Sequence, residues 1–220
     1  MKRITLLITA ALTLSACNFY QDESRQSRIL RFTASHPVAA QAIGLKDESS
    51  SNITSIVTRI STRVGLDDKA NGGGRGTQVN ALRHTLWQAA ISSRFGKKIA
   101  EEIGNAYETD PSVREVKTKY FSRFASDQAV DLRNNRIGRF LGASYPNTDI
   151  KTLAQITLKR FYEDGLWTAN LVNEKGRSSW RIGLTKLKRS EYKAALDKLN
   201  KLNDNGFTED EQQNELIRIE

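Results

Sequence analysis

The stretch DQAVDLRNNRIGR, Asp127 to Arg139, decides how the rest of the chain is read. At roughly 100° per residue, Asp127, Asp131, Asn134 and Gly138 fall within about 60° of arc on one helix face, with Asn135 just beside them. A solvent-facing stripe favours long side chains and has no use for a glycine. Short carboxylates and amides beside Gly138 predict instead a polar face pressed against another helix or a ligand. Phe124, Ala125, Ala129, Leu132, Ile137 and Leu141 supply the packing positions of a helix from Phe121 to Leu141, and Gly142 marks its end.

Working outward, NALRHTLWQAAI (Asn80 to Ile91) lies in a second long pattern from Gln78 to Phe95, stopped by Gly96. A third runs from Lys97 to Tyr107, with Ile99, Ala100, Ile103 and Ala106 inward, and Asp110-Pro111 punctuates the chain after it. Ile53, Ile56, Val57, Ile60 and Val64 predict a packing helix capped by Ser51 or Asn52. Ile150, Leu153, Ile156, Thr157 and Phe161 predict another, ending by Gly165. Helices in succession with short links describe an all-α, compact multi-helix bundle over residues 29–165. The C-terminal extension, residues 166–220, is basic and then acidic. Within it SSWRIGLTKL allows a short hairpin, and Glu191 to Leu202 is again helical. His36 precedes Pro37 and reads as a residue at a helix start.

The N-terminus sets the location. Met1-Lys2-Arg3 is followed by an apolar run of 13 residues, Ile4 to Ala16, too short for a spanning helix and typical of a signal peptide. LSAC, Leu14 to Cys17, resembles the lipobox of bacterial lipoproteins, in which Cys17 is lipidated and becomes the first residue. Residues 17–28 then read as the acylated end and a polar tether. As the sole cysteine, Cys17 leaves no internal disulfide. The partner this implies is membrane lipid, held through the acylated N-terminus, and the domain is expected to face the periplasm. Asn18 stands where an Asp would signal retention at the inner membrane, which favours the outer membrane. Losing Lys2 and Arg3 with residues 1–16 lowers the net charge from +9 to +7. A basic exported chain suits anionic lipid, cell-wall polymer or an acidic envelope protein. Nucleic acid is disfavoured, because no ladder of aromatics interleaves the basic residues.

The candidate chemistry lies on three of these segments. Asn80 and His84 differ by about 40° on their helix, Trp87 lies about 60° beyond, and Arg83 is the neighbour of His84. Tyr107 and Glu108 end the next helix. If His84, Glu108, Asp127 and Asp131 converge, His84 acts as general base with Arg83 or Arg139 stabilising an anion, or the group holds a divalent metal ion. One histidine with carboxylates suits a hard or intermediate cation better than structural zinc. Catalytic roles fall on His84, Asp131 and Glu108. Asn80, Trp87, Tyr107, Asp127, Asn134 and Asn135 line the pocket. The competing reading is a buried hydrogen-bond network that specifies helix packing in a non-enzymatic interaction or exclusion lipoprotein. GGGRGT, Gly72 to Thr77, lacks the lysine and the preceding strand of a phosphate-binding loop and reads as a folded approach to His84.

These segments resemble an uncharacterised bacterial and phage domain family with the pattern N-x-x-R-H-x-x-W, then G-[DN]-A-x-E, then D-L-x-N-N-x-x-G-R. The matching residues are Asn80, Arg83, His84 and Trp87; Gly104, Asn105, Ala106 and Glu108; and Asp131, Leu132, Asn134, Asn135, Gly138 and Arg139. The resemblance implies membership over residues 75–145 and no particular reaction. A more distant likeness to small secreted bacterial phospholipases departs at the residues that matter. Thr85, not Asp, follows His84, and the disulfides are missing, so that likeness supplies no site residue.

Overall fold

The computed structural model describes residues 23–108, 113, 116–211 and 213; the predicted leader, Cys17 and residues 18–22 of the predicted tether lie outside these. In chain order the elements are α1 (Arg25–Ser35), α2 (Pro37–Ile43), α3 (Ile53–Arg63), α4 (Gln78–Phe95), α5 (Lys97–Tyr107), β1 (Lys119–Tyr120), α6 (Arg123–Ser144), α7 (Ile150–Glu163), β2 (Leu166–Glu174), β3 (Arg177–Thr185) and α8 (Arg189–Asn200). The result is a predominantly helical bundle with a small strand hairpin toward its C-terminal end, the fold class the sequence implied. No helix among the described residues is long and apolar enough to cross a membrane.

Helix α4 is the axis. It is buried nearly all round, from Val79 through Leu82, Leu86 and Ala89 to Ile91, so its apolar residues do not form a single stripe. Helices α3, α5, α6 and α7 and strand β2 all pack on it. Ile60, Leu82, Leu86, Ile91, Leu153 and Phe161 are fully buried in the main core. Thr77 caps α4 by accepting a hydrogen bond from Asn80 N, as Asn52, Ser122 and Asp149 cap α3, α6 and α7.

The α4–α6 seam is the most extensive contact in the molecule. Two glycines make it possible. A Cβ on Gly138 would lie 2.1 Å from Thr85 O, and one on Gly142 would lie 2.1 Å from Ala89 O. Gly142 was expected to end the helix, yet α6 runs on to Ser144. Its missing side chain serves close packing one turn before the end. Contacts advance in step along the two helices: Asn80 with Asp131, His84 with Asn135, Ala89 with Gly142, Ser93 with Tyr145. The helices therefore run in the same direction, with α5 and β1 between them in the chain. Both N-terminal ends, with their positive partial charges, lie at the same end of the molecule.

Two local findings differ from the sequence reading. Helix α1 begins at Arg25, inside the stretch read as a tether. Ser24 caps it, and the buried Arg28 side chain donates to Ala106 O at 3.4 Å and to Glu108 O, so the segment is docked on the end of α5. The hairpin is longer than SSWRIGLTKL suggested. Strands β2 and β3 pair antiparallel over nine residues each, and β1 joins the far edge of β3. This three-stranded sheet, in the order β1-β3-β2, lays Ala169 and Ile182 on Ala129 and Val130 of α6.

Candidate metal centre

Three elements meet where α4 and α6 start. The shared direction of the helices brings the second turn of α4 against the second and third turns of α6. The end of α5, held by Arg28, delivers Glu108 to the same place. One ligand atom from each of His84, Glu108 and Asp131 lies within 4.8 Å of the others. His84 Nε2 is 3.4 Å from Asp131 Oδ1, and the imidazole keeps 24% of its surface exposed, enough for a ligand to reach it.

The residues behind His84 and Asp131 fix the orientation of those two. Asn135 Oδ1 sits 3.2 Å from His84 Nδ1. With the amide so oriented, Nδ1 carries the proton and donates it, and the Nε2 lone pair points at Asp131. Asn80 Nδ2 donates to Asp131 Oδ1 at 2.7 Å and to Asp127 Oδ1 at 3.3 Å, while its own Oδ1 accepts from Arg83 Nη2 at 2.6 Å. Arg75 pairs with Asp127 Oδ2 at 2.8 Å. Asp127 is thus a neighbour of the triad whose oxygens already have partners.

The electrostatics all point one way. Burial and then the adjacent Arg83 push the His84 imidazole down to about 3, opposed by the hydrogen bond to Asn135. Burial and the nearby Asp127 raise the Glu108 carboxyl to about 7, against Arg25 and Arg28. Burial, Asp127 and Glu108 hold the Asp131 carboxyl well above its ordinary range, against the Asn80 hydrogen bond and Arg83. With the proton on Nδ1, an ionised Asp131 would set two acceptors, Nε2 and a carboxylate oxygen, against one another at 3.4 Å, which is part of why the neutral carboxyl is favoured. A proton on Asp131 or a bound cation would relieve that contact, and a divalent cation would find here donor types suited to a hard or intermediate metal. The cluster is therefore a potential metal-binding centre.

It opens into a cleft of about 870 Å³. Asn80, Tyr107 and Asp127, three of the expected pocket residues, line it, and so does Arg83, expected as an anion-binding residue. Arg25, Lys69, Arg75 and Phe124 also line it and were not foreseen. Arg75, between Gly74 and Gly76, had a signal in the polar residue set among glycines, whereas Arg25 in a polar stretch had none. The Gly72–Gly74 turn forms part of the wall, with all three glycines at positive φ. A smaller recess of about 240 Å³ adjoins it, lined by Thr54, Val57, Thr58, Trp87 and Asn135. Trp87 donates to Thr54 Oγ1 at 3.1 Å and meets Tyr107 edge to face.

Two predicted residues sit elsewhere. Asn134, fully buried, accepts from Trp167 N at 2.9 Å and donates to Trp167 O at 2.8 Å, which fastens α6 to β2. Arg139 reaches Gln88 Oε1 at 3.3 Å and Glu101 at 3.5 Å and lines neither opening. His36 joins α1 to α2 and bonds Glu102 at 2.7 Å.

No curated protein and no solved structure matches the chain. Residues 1–18, a stretch that includes Cys17, match the prokaryotic membrane lipoprotein lipid attachment site, which makes the protein a membrane-attached lipoprotein held through N-terminal acylation. A second family model covers residues 45–165, more than half of the chain, and holds His84, Glu108 and Asp131 while leaving out α1, the hairpin and α8. The chain belongs to the family described as Domain of unknown function (DUF6973).

Proposed function

We propose that this lipoprotein is a metal-dependent hydrolase of an envelope substrate, acting at the periplasmic face of the outer membrane. The observation that carries the reading is the meeting of His84, Glu108 and Asp131, from three separate segments, at the floor of an open cleft. A divalent cation held by His84, Glu108 and Asp131 would supply Lewis acidity and activate water at neutral pH. His84 would hold it as a neutral ligand. An imidazole pushed down to about 3 is too weak a base for efficient proton abstraction near pH 7. Asn135 fixes its tautomer, and Asn80 keeps Asp131 turned toward it. Arg83, one wall of the cleft, faces negative charge that develops on the substrate. Hydrolysis forms a bond from the water oxygen to the electrophilic centre and breaks the bond to the leaving oxygen, which departs with a proton.

A second reading has its own support. Asn80, Asp127, Asp131, Asn134 and Asn135 are all buried and hydrogen-bonded, as in a network that specifies helix packing in a non-enzymatic interaction lipoprotein. One experiment separates the two. Elemental analysis of the lipidated protein is combined with turnover assays on phospholipid and on peptidoglycan, for the wild type and for His84→Ala. A bound ion and turnover, both lost in the folded variant, support the hydrolase. A folded wild type with neither hands the site to the network reading.

A further inference from the structure

The large cleft and the small recess share five lining residues: Arg25, Arg83, His84, Tyr107 and Glu108. A ligand that spans both openings therefore passes the metal centre and two arginines at their junction. Neither Arg25 nor Arg83 has a carboxylate within salt-bridge distance among the described residues. Arg25 stacks on Tyr107 at 4.6 Å, and Arg83 spends one donor on Asn80. Both guanidinium groups line the two openings, and a pair of arginines so placed suits a phosphate group. At about 240 Å³ the recess is smaller than an ordinary ligand pocket, so it accepts part of a molecule, and Val57 and Trp87 make that part apolar.

The anchor adds an independent constraint. Arg25 stands eight residues after Cys17, so even a fully extended chain separates the two by at most about 28 Å. The rim of the cleft is thus tied close to the bilayer that holds the acyl chains. Leu30 on α1 and Val38 on α2, 69% and 73% exposed, present apolar surface on the two helices nearest that anchor. Helix α1 and Arg25 lie outside the residues that define the family, so this arrangement is carried by the chain's own N-terminal extension.

We infer that the cleft takes an anionic glycerophospholipid of the anchoring membrane, with the phosphate between Arg25 and Arg83 and an acyl chain in the Val57–Trp87 recess; the inference rests on the site proposed above. Native mass spectrometry of the lipidated full chain in a neutral detergent tests it. The probes are dihexanoyl phosphatidylglycerol, its chain-free headgroup glycerophosphoglycerol, and inorganic phosphate. Burial of several methylenes predicts that the chain-bearing ligand binds at least about tenfold more tightly than the headgroup. Arg25→Gln, at an exposed position, should weaken both. Thr58→Phe, which fills the recess, should erase the difference between them. Equal binding of all three probes, or an undiminished chain preference in Thr58→Phe, overturns the inference. Ion content and turnover of the water-soluble bis(p-nitrophenyl) phosphate and p-nitrophenyl acetate are read in the same preparations. A bound ion and turnover without chain preference overturn the lipid assignment alone. Chain preference without ion or turnover supports it and removes the hydrolytic reading instead.

Discussion

His84 and Asp131 face each other across two parallel helices, Nε2 to Oδ1 at 3.4 Å, while the far nitrogen of the same ring rests on Asn135. This pair makes the site a cation trap in waiting: one partner is fixed as an acceptor, and the other is a carboxylate that its surroundings discourage from ionising alone.

Removing a ligand and removing its support should differ in degree. His84→Ala deletes a ring that is 24% exposed and should leave the fold intact while lowering divalent-cation affinity at least about 100-fold. Asn135→Ala keeps the ligand and loses its orientation, for an expected drop of about 10- to 100-fold. Calorimetric titration with Mn²⁺ and Zn²⁺ as probe ions checks the ranking. Equal affinities in all three proteins would remove His84 from the centre.

The pH dependence follows from Glu108. Its carboxyl is raised from an ordinary 4.5 to about 7, so between those values the folded chain keeps a proton that the unfolded chain has released. This contribution to stability is full below pH 4.5 and is lost as pH rises through 7. His84 has the opposite sign. Lowered from 6.5 to about 3, it contributes fully above pH 6.5, and that contribution fades as pH falls toward 3. Metal-free Glu108→Gln should therefore melt above the wild type at pH 8 and close to it at pH 4. A saturating divalent cation should reverse the order at pH 8 by stabilising only the wild type strongly. Superimposable melting curves at pH 8 with and without the cation would contradict this.

Gly138→Ala tests the seam. The new Cβ meets Thr85 O and the Gln88 side chain, and a backbone carbonyl has little room to yield. Forcing the helices apart should cost at least about 1–3 kcal/mol. It should also reduce cation affinity, because His84 and Asp131 sit on opposite sides of the seam. Thermal melts combined with cation titration read both effects.

Asn134→Ala is the contrasting case. It strips both backbone groups of Trp167 of their partners, at an expected cost of about 2–3 kcal/mol, and touches neither opening. Cation stoichiometry in the folded fraction should stay at the wild-type value. A loss of bound ion without a loss of stability would return Asn134 to the site.

The helices were legible because their signals are local: periodicity, caps and stopping glycines. The convergence of the candidate residues was legible for a related reason. Asn80, His84, Asp131 and Asn135 are short polar residues at helical spacing on segments otherwise suited to burial, and that conflict marks a face that needs partners. Asn134 and Arg139 carried the same conflict but resolve it against β2 and α5, and nothing in spacing distinguishes those outcomes. Gly142 read as a stop because a glycine that ends a helix and one that admits a neighbouring backbone look alike in one sequence. Strand β1, two residues long, exists only because β3 presents an edge to it. Arg25 reaches the cleft through the docking of α1, a long-range contact with no sequence period.

Asn71 donates to Ala169 O, and Ala169 N donates to Gly76 O at 2.9 Å, so the hairpin buttresses the glycine turn that walls the cleft. Leu187, Ala195 and Leu199 complete the main core from still farther along. Excising residues 45–165 as a free-standing fragment would strip that wall of its brace and open the hydrophobic interior to water. The cooperative folding unit is accordingly larger than the stretch by which its kin are recognised, and anyone expressing the protein should carry the chain through α8.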